Sequence, residues 1–406
     1  MADARHRQIH PWNNGILDGL FCNNRFETLK KRWPKRPATQ ARKVEFVIDS
    51  IDPLGQGVSK KDGTITFVAG TLPGESGVAT VYKRSKGVQF ARLQTLAKTA
   101  DNRVEPECPH FDQCPGCQFL HTDYASELAY KKAALARYLA AQGVSGESIE
   151  VVPAPRRLAY RNRVQLHYRH KYIGMLDTVS NEVLEVPQCK IIREELQPAF
   201  SDLYKGDWTQ DHPGHGHCEL YFKGGVVSQK WDESYAHGGF SQVYDEMNQV
   251  LQDRVQAQFE ALEVSRLLDI FSGSGNLSNR FASAGGSRVM IDNYSDPSGA
   301  ANPDNFFQMD LYQDQTLQNF VRRLGHTDFD TLLIDPPRRG FPELDSWVKK
   351  IKPRYVVYVS CNPASLTRDL RNMSTRFRFE NVQLLDLFPA TAHFETLVVL
   401  KMSAKK

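Results

Sequence analysis

Apolar residues along this chain change rhythm several times. Between Val44 and Tyr82 they come in short runs: Val44-Glu45-Phe46-Val47-Ile48, Thr64-Ile65-Thr66-Phe67-Val68 and Gly77-Val78-Ala79-Thr80-Val81-Tyr82. The turns Gly55-Gln56-Gly57, Asp62-Gly63 and Leu72-Pro73-Gly74-Glu75 separate them. This pattern predicts a small β-barrel of the oligonucleotide-binding type, with Lys83-Arg84-Ser85-Lys86 as a cationic loop on its rim. From about Tyr124 to Gln142 the spacing becomes helical, with Leu128, Leu135 and Leu139 among the apolar positions. Residues 150–240 return to strand-like runs such as Arg163-Val164-Gln165-Leu166-His167-Tyr168. Tyr244 to Leu262 predicts an amphipathic helix. From Leu267 onward apolar strands alternate with helical stretches, the signature of a doubly wound α/β domain. Its Tyr355-Val356-Val357-Tyr358-Val359 run predicts a strand buried on both faces of a parallel sheet.

Four segments follow: a basic arm (1–42), a small barrel (43–100), a mostly β central region (101–240) expected to contact RNA, and a Rossmann-like domain (241–406). With 406 residues, 41% hydrophobic and 24% charged, the chain reads as globular. No apolar run approaches the roughly 18 residues of a membrane span. The N-terminus lacks a secretory apolar core, so a cytoplasmic location is expected. Net charge is only +4, but residues 1–103 carry 18 Lys/Arg against 9 Asp/Glu, leaving the remainder at −5. That asymmetry, with the basic, aromatic stretch Lys30–Pro37, points to a polyanion such as RNA.

Three motifs carry chemistry in the last domain. In the first, Leu267-Leu268-Asp269-Ile270-Phe271 runs into Ser272-Gly273-Ser274-Gly275-Asn276. A buried strand there ends in a tight turn whose glycines let a ligand approach. Asp292 closes the next strand, where a carboxylate can hold both ribose hydroxyls. A third glycine and a Gly-Lys-Ser/Thr run are both absent, which favours S-adenosylmethionine over dinucleotides or triphosphates. The second motif is Asp335-Pro336-Pro337-Arg338, a stiffened strand-end loop presenting a carboxylate. Amino-methylating enzymes usually have an aromatic ring where Arg338 stands. The third is Ser360-Cys361-Asn362-Pro363 with Glu395. A lone cysteine is often merely buried. Here a thiolate could add to C6 of uracil and make C5 nucleophilic, and a base, Glu395 or His393, could then remove the C5 proton.

Cys108-x5-Cys114-x2-Cys117 precedes Cys189 by 71 intervening residues. Four such thiolates can hold a [4Fe–4S] cluster or, alternatively, zinc, in a structural role. The group from His212 to Cys218 reads as a Gly/His-rich loop.

At these residues the chain resembles the RNA uracil-C5 methyltransferase family, in particular the bacterial 23S rRNA branch with a TRAM domain and a [4Fe–4S] cluster. The resemblance spans about residues 43–402. Gly55-Gln56-Gly57 and Leu72-Pro73-Gly74-Glu75 are similar to TRAM turns, and Tyr160-Arg161-Asn162-Arg163 to a central-domain signature. It implies cofactor contacts at Gln242 (within Phe240-Ser241-Gln242-Val243), Phe271, Gly273, Gly275, Asn276, Asp292, Asp310 and Asp335. It implies Cys361 as nucleophile, Glu395 as base, and a cluster on Cys108, Cys114, Cys117 and Cys189. Three departures stand out. Tyr244 replaces a frequent Asn, Asp292 replaces a more usual Glu, and Asn293–Met309 is short where the family has a helix near Asp310. The expectation is a monomeric enzyme methylating uridine C5 in structured RNA, with 23S rRNA as the expected substrate. Methylation of tRNA uridine or of cytosine is one alternative, and a non-catalytic RNA-binding assembly protein another.

Overall fold

The computed structural model describes residues 42–177, 180–233, 242–293, 305–371, 373 and 377–402. The expected basic arm therefore lies almost wholly outside the described residues, as do Phe240, Ser241 and positions 294–304.

The chain forms two compact units, one of Gly57–Thr99 with the residues up to Ser50, the other of Ile51–Gln56 with Ala100 onward. Strands β1 (Lys43–Val47), β2 (Ser50–Ile51), β3 (Gln56–Ser59), β4 (Ile65–Ala69), β5 (Ser76–Ser85) and β6 (Val88–Lys98) make a sheet in the order β1-β5-β6-β4-β3-β2. Its core is Phe46, Ile48, Val68, Ala79 and Ala91, the inward positions of alternating strands. Glu75, fully buried, accepts the Leu72 amide at 2.8 Å and locks that turn. β5 runs further than the sequence indicates, so Lys83 and Arg84 lie in a strand and not in a loop.

In the second unit, helix α1 (Tyr124–Leu139) begins at Asp123, whose carboxylate caps the Ser126 amide. After β7 (Ile149–Val152) come β8 (Arg163–Arg169), β9 (Tyr172–Leu176), β10 (Val183–Leu184), α2 (Gln197–Leu203), β11 (His215–Lys223) and β12 (Val226–Trp231). The five strands other than β7 form a sheet ordered β10-β9-β8-β11-β12. No described helix is long and apolar enough to cross a membrane.

Helix α3 (Asp245–Ala261) leads into β13 (Arg266–Ile270), α4 (Asn279–Ser283), β14 (Ser287–Asp292), β15 (Phe306–Gln308), α5 (Thr316–Leu324), β16 (Thr331–Ile334), α6 (Leu344–Ile351), β17 (Tyr355–Ser360), α7 (Pro363–Leu370), β18 (Phe377–Leu385) and β19 (Glu395–Met402). The sheet order is β15-β14-β13-β16-β17-β19-β18-β7. The first five strands are parallel and β19 is antiparallel to both neighbours. β7, from the expected central region, adds an eighth strand parallel to β18.

The period of two divides side chains between two cores. Leu268, Ile270, Leu332, Ile334, Val356 and Tyr358 face α5 and α6. Leu267, Leu333, Val357, Val359, Leu397 and Val399 face α3, which presents Met247, Leu251, Val255 and Phe259 at four-residue spacing. Tyr244, the first sequence departure, is buried here. It stacks on Tyr160 at 4.7 Å, and its hydroxyl bonds the Arg156 backbone.

Candidate active site

The parallel strands all end on one edge of the sheet, and there the topology gathers the expected residues. β13 delivers Phe271, Gly273, Gly275 and Asn276; β14 delivers Asp292; Asp310 follows β15; Asp335 follows β16; Cys361 follows β17. Glu395 starts the antiparallel β19. Ser360 pairs with Thr396, so one further step sets Cys361 beside Glu395.

Cys361 and Glu395 shape each other electrostatically. Burial pushes the Cys361 thiol well above its usual range, the Glu395 carboxylate adds to this, and the Arg338 guanidinium opposes it. Burial likewise raises the Glu395 carboxyl, reinforced by Asp335 and opposed by Arg338. Glu395 Oε2 is buried with no hydrogen-bond partner. His393 behaves oppositely: burial, then the charge of Arg338, lowers it to about 3. Its Nε2 lies 3.5 Å from Arg338 Nη2. Base strength follows pKa, so Glu395 is the stronger proton acceptor of the two.

Asn362 ties the two loops together. Its Oδ1 caps α7 at the Ala364 amide (3.1 Å), and its Nδ2 donates to the Arg338 carbonyl (2.9 Å). Asp369 accepts from the Phe341 amide and from Tyr358 Oη (2.7 Å), fixing the far end of the Asp335–Gly340 loop. The sequence reading missed both supports, although an Asn-Pro at a strand-to-helix turn signals a cap.

At the glycine turn, Gly273 (φ +52°) donates its amide to Asp292 Oδ2 at 2.8 Å. A Cβ there would meet nothing within 4 Å, so open space stands over the turn. A Cβ on Gly275 (φ +81°) would come within 2.4 Å of Asn279 Oδ1. Phe271 stacks edge-on against Phe341 at 5.0 Å. Asn276 faces α3: Oδ1 accepts from Gln252 (2.7 Å) and Asn248 (3.1 Å). Gln242 is nearly buried before α3, and Asp310 Oδ1 accepts the Tyr312 amide at 3.0 Å. Burial, then Asp269 and Asp292, raises Asp335 to about 7. Asp269, a polar residue inside an apolar strand and unassigned from sequence, is raised to about 7, chiefly by burial. The edge thus concentrates carboxylates under an open turn, a setting suited to a cation.

Cys108, Cys114, Cys117 and Cys189 line one recess with Leu120, Met175 and Ile191 among its walls. Burial raises Cys114 to about 11 and pushes Cys117 and Cys189 up as well. Among the described residues, no three His, Cys, Asp or Glu side chains converge tightly enough to hold a metal ion. The His212–Cys218 segment packs instead of ligating: His212 stacks on Trp231 at 4.1 Å, and residues from His215 on join β11.

In the first unit, Phe67 and Phe90 are register partners stacked at 5.1 Å. Lys83 Nζ stands 5.6 Å over Phe90, with half-exposed Tyr82 nearby. Aromatic faces beside a cation suit stacked bases.

A glycine turn, strand-end acids and a doubly wound sheet with an antiparallel β19 define a nucleoside-cofactor methyltransferase fold. The family model described as tRNA (Uracil-5-)-methyltransferase matches residues 314–403, which hold Asp335, Cys361 and Glu395. The chain is 26% identical over 449 residues to the 23S rRNA (uracil(1939)-C(5))-methyltransferase RlmD of Shewanella sp. (strain W3-18-1), covering 92% of this chain and 99% of that protein. It is 27% identical over 445 residues to the protein of the same name from Pectobacterium carotovorum subsp. carotovorum (strain PC1), with 92% and 97% covered. In fold it is similar to the Pyrococcus abyssi tRNA (uracil-54, C5)-methyltransferase, with TM-score 0.68, 21% identity, and 88% of this chain and 99% of that one covered. Along 92% of its length the chain is similar to curated RNA uracil-C5 methyltransferases, and its last quarter matches the family model.

Proposed function

We propose that this protein methylates C5 of a uridine in 23S rRNA through a covalent adduct on Cys361, using S-adenosylmethionine. The observation that carries the reading is the adjacency of Cys361 and Glu395, with the charge of Arg338 acting on both, on the edge that holds the open glycine turn. The 23S substrate rests on the length-spanning relatives.

S-adenosylmethionine supplies an electrophilic methyl group on a sulfonium. Open space above Gly273 and the acids Asp292, Asp310 and Asp335 fit such a cation. Cys361, as thiolate, adds to C6 of the uracil, and the ring electrons pass to the C4 oxygen as an enolate. Arg338 favours the anionic forms of both Cys361 and Glu395. C5 takes the methyl group with the enolate's electron pair. Glu395 then removes the C5 proton, C5=C6 re-forms, and the Cys361 thiolate leaves.

Three closely spaced cysteines and a remote fourth, all lining one recess, suit a [4Fe–4S] cluster, with zinc as the alternative. Cys108, Cys114, Cys117 and Cys189 would hold the cluster. The 43–100 segment would act as a TRAM-like RNA grip through Phe67, Tyr82, Phe90 and Lys83, and the protein would work as a monomer in the cytoplasm.

The test is to incubate the protein with tritiated-methyl S-adenosylmethionine and undermodified total RNA, then to identify the labelled nucleoside by RNA size class. Label in 5-methyluridine of 23S rRNA supports the reading. Label confined to tRNA or cytosine, or bound RNA without label, rejects it.

A further inference from the structure

The segment Asp386–Phe394 joins β18 to β19 without regular structure, and Ala390 holds φ +67°, unfavourable for a residue with a Cβ. Residues 118–160 bond five of its residues, Asp386, Phe388, Pro389, Ala390 and Ala392. Gln118 and Phe119 donate their amides to the Ala390 carbonyl at 2.8 and 2.9 Å. The Ala392 amide donates to Gln118 Oε1 at 3.0 Å, and the Ala390 amide to Glu127 Oε1 at 2.7 Å. Tyr160 Oη donates to the Pro389 carbonyl at 3.0 Å. Lys131 Nζ donates to the Phe388 carbonyl (3.2 Å) and pairs with Asp386 and Glu127, both at 2.7 Å. Arg157 completes the pairing on Glu127 at 2.7 Å. The side chains of Glu127, Lys131 and Asp386 are at most 1% exposed.

Buried ion pairs of this kind add little net stability over well-packed apolar residues, but they hold geometry tightly once fully paired. This network converges on the one irregular segment that delivers Glu395. β17, which leads into Cys361, receives none of these bonds.

We propose that Gln118, Glu127 and Lys131 are positioning residues that set Glu395 against the adduct, so that they govern release of the product and not thiolate addition. The proposal rests on the reading that Glu395 removes the C5 proton. It also makes the cysteine-bearing loop, through Gln118 next to Cys117, one mechanical unit with the catalytic segment.

The experiment uses full-length protein and undermodified rRNA. Adduct formation is followed on denaturing gels and turnover by tritium transfer, with Glu395→Gln as reference. For Lys131→Met we expect adduct formation within about twofold of the parent, turnover lowered roughly 10–100-fold, and adduct accumulating as in the reference. Lys131→Arg should recover part of the turnover. If Lys131→Met does not fold, Gln118→Ala reads the same split at a half-buried position. Equal losses in both steps, or no change in either, overturn the proposal. If Glu395→Gln itself accumulates no adduct, the proton-removal reading fails and the positioning role fails with it. A normal reference with an unaltered Gln118→Ala and Lys131→Met defeats the positioning role alone.

Discussion

Cys361 and the four recess cysteines sit in surroundings that differ more than their burial does. Cys361 and the recess thiols Cys114, Cys117 and Cys189 are all pushed upward by desolvation. Cys361 then meets a carboxylate and a guanidinium at the end of a parallel strand. The recess cysteines meet one another and mostly apolar walls, with the charge of Arg161 acting on Cys117 and Cys189. Burial alone therefore says nothing about what a thiol does; its charged neighbours do. A thiol that faces a cation and a proton acceptor is set up to cycle between thiol and thiolate, whereas thiols that face each other suit a ligand which removes all their protons at once.

The largest test of that contrast is Cys361→Ala. Methyl transfer should fall by at least about a thousandfold, as for the loss of a nucleophile elsewhere, while filter binding of RNA stays close to the parent. Appreciable residual turnover would remove Cys361 from the covalent step. Cys189→Ser probes the other group. Protein purified without oxygen should be brown with about four irons per chain, and this variant should lose colour and melt at lower temperature. Colourless parent protein with one zinc would reverse the assignment of the recess.

A smaller effect tests the neighbours of Cys361. His393 is lowered from 6.5 to about 3, so the folded protein resists its protonation. A depressed pKa contributes stability fully above the unfolded value of 6.5, and that stability is lost as pH falls toward 3. Between pH 7 and pH 5 this loss amounts to about 2 kcal/mol. Urea unfolding of His393→Gln should show a pH 7 to pH 5 loss smaller by that amount. An identical loss in parent and variant would mean that His393 protonates freely in the folded state.

Much of this arrangement was legible in the sequence because it is local. Alternation placed β13, β14, β16 and β17, and each ended at a residue able to do chemistry. What was not legible depends on distant pairing. Lys131 and Asp386 are 255 positions apart, and nothing in either neighbourhood announces the other. β7 is a four-residue run whose partner β18 begins beyond residue 370. The Asn276 amide, expected toward a cofactor, also bonds a helix that precedes it by more than a dozen residues, a pairing that no local signal announces. Tyr244, read as a departure, is a packing solution with Tyr160.

The finest test turns to the carboxylates of the Cys361 edge. Asp335 is raised to about 7 by burial and by Asp269 and Asp292. A sulfonium ligand favours the ionised carboxylate, so affinity for S-adenosylmethionine should rise as pH climbs from 6 to 8, by up to about tenfold for one such group. S-adenosylhomocysteine lacks the sulfonium methyl group, so its sulfur is neutral, and it shares the remaining groups. Its affinity should change less, and the ratio of the two Kd values from calorimetry isolates the sulfonium. Asp335→Asn should flatten that ratio across the range. A ratio already flat in the parent would mean that the Asp335 carboxylate does not meet the sulfonium, and the acids of this edge would then act on ribose and adenine alone.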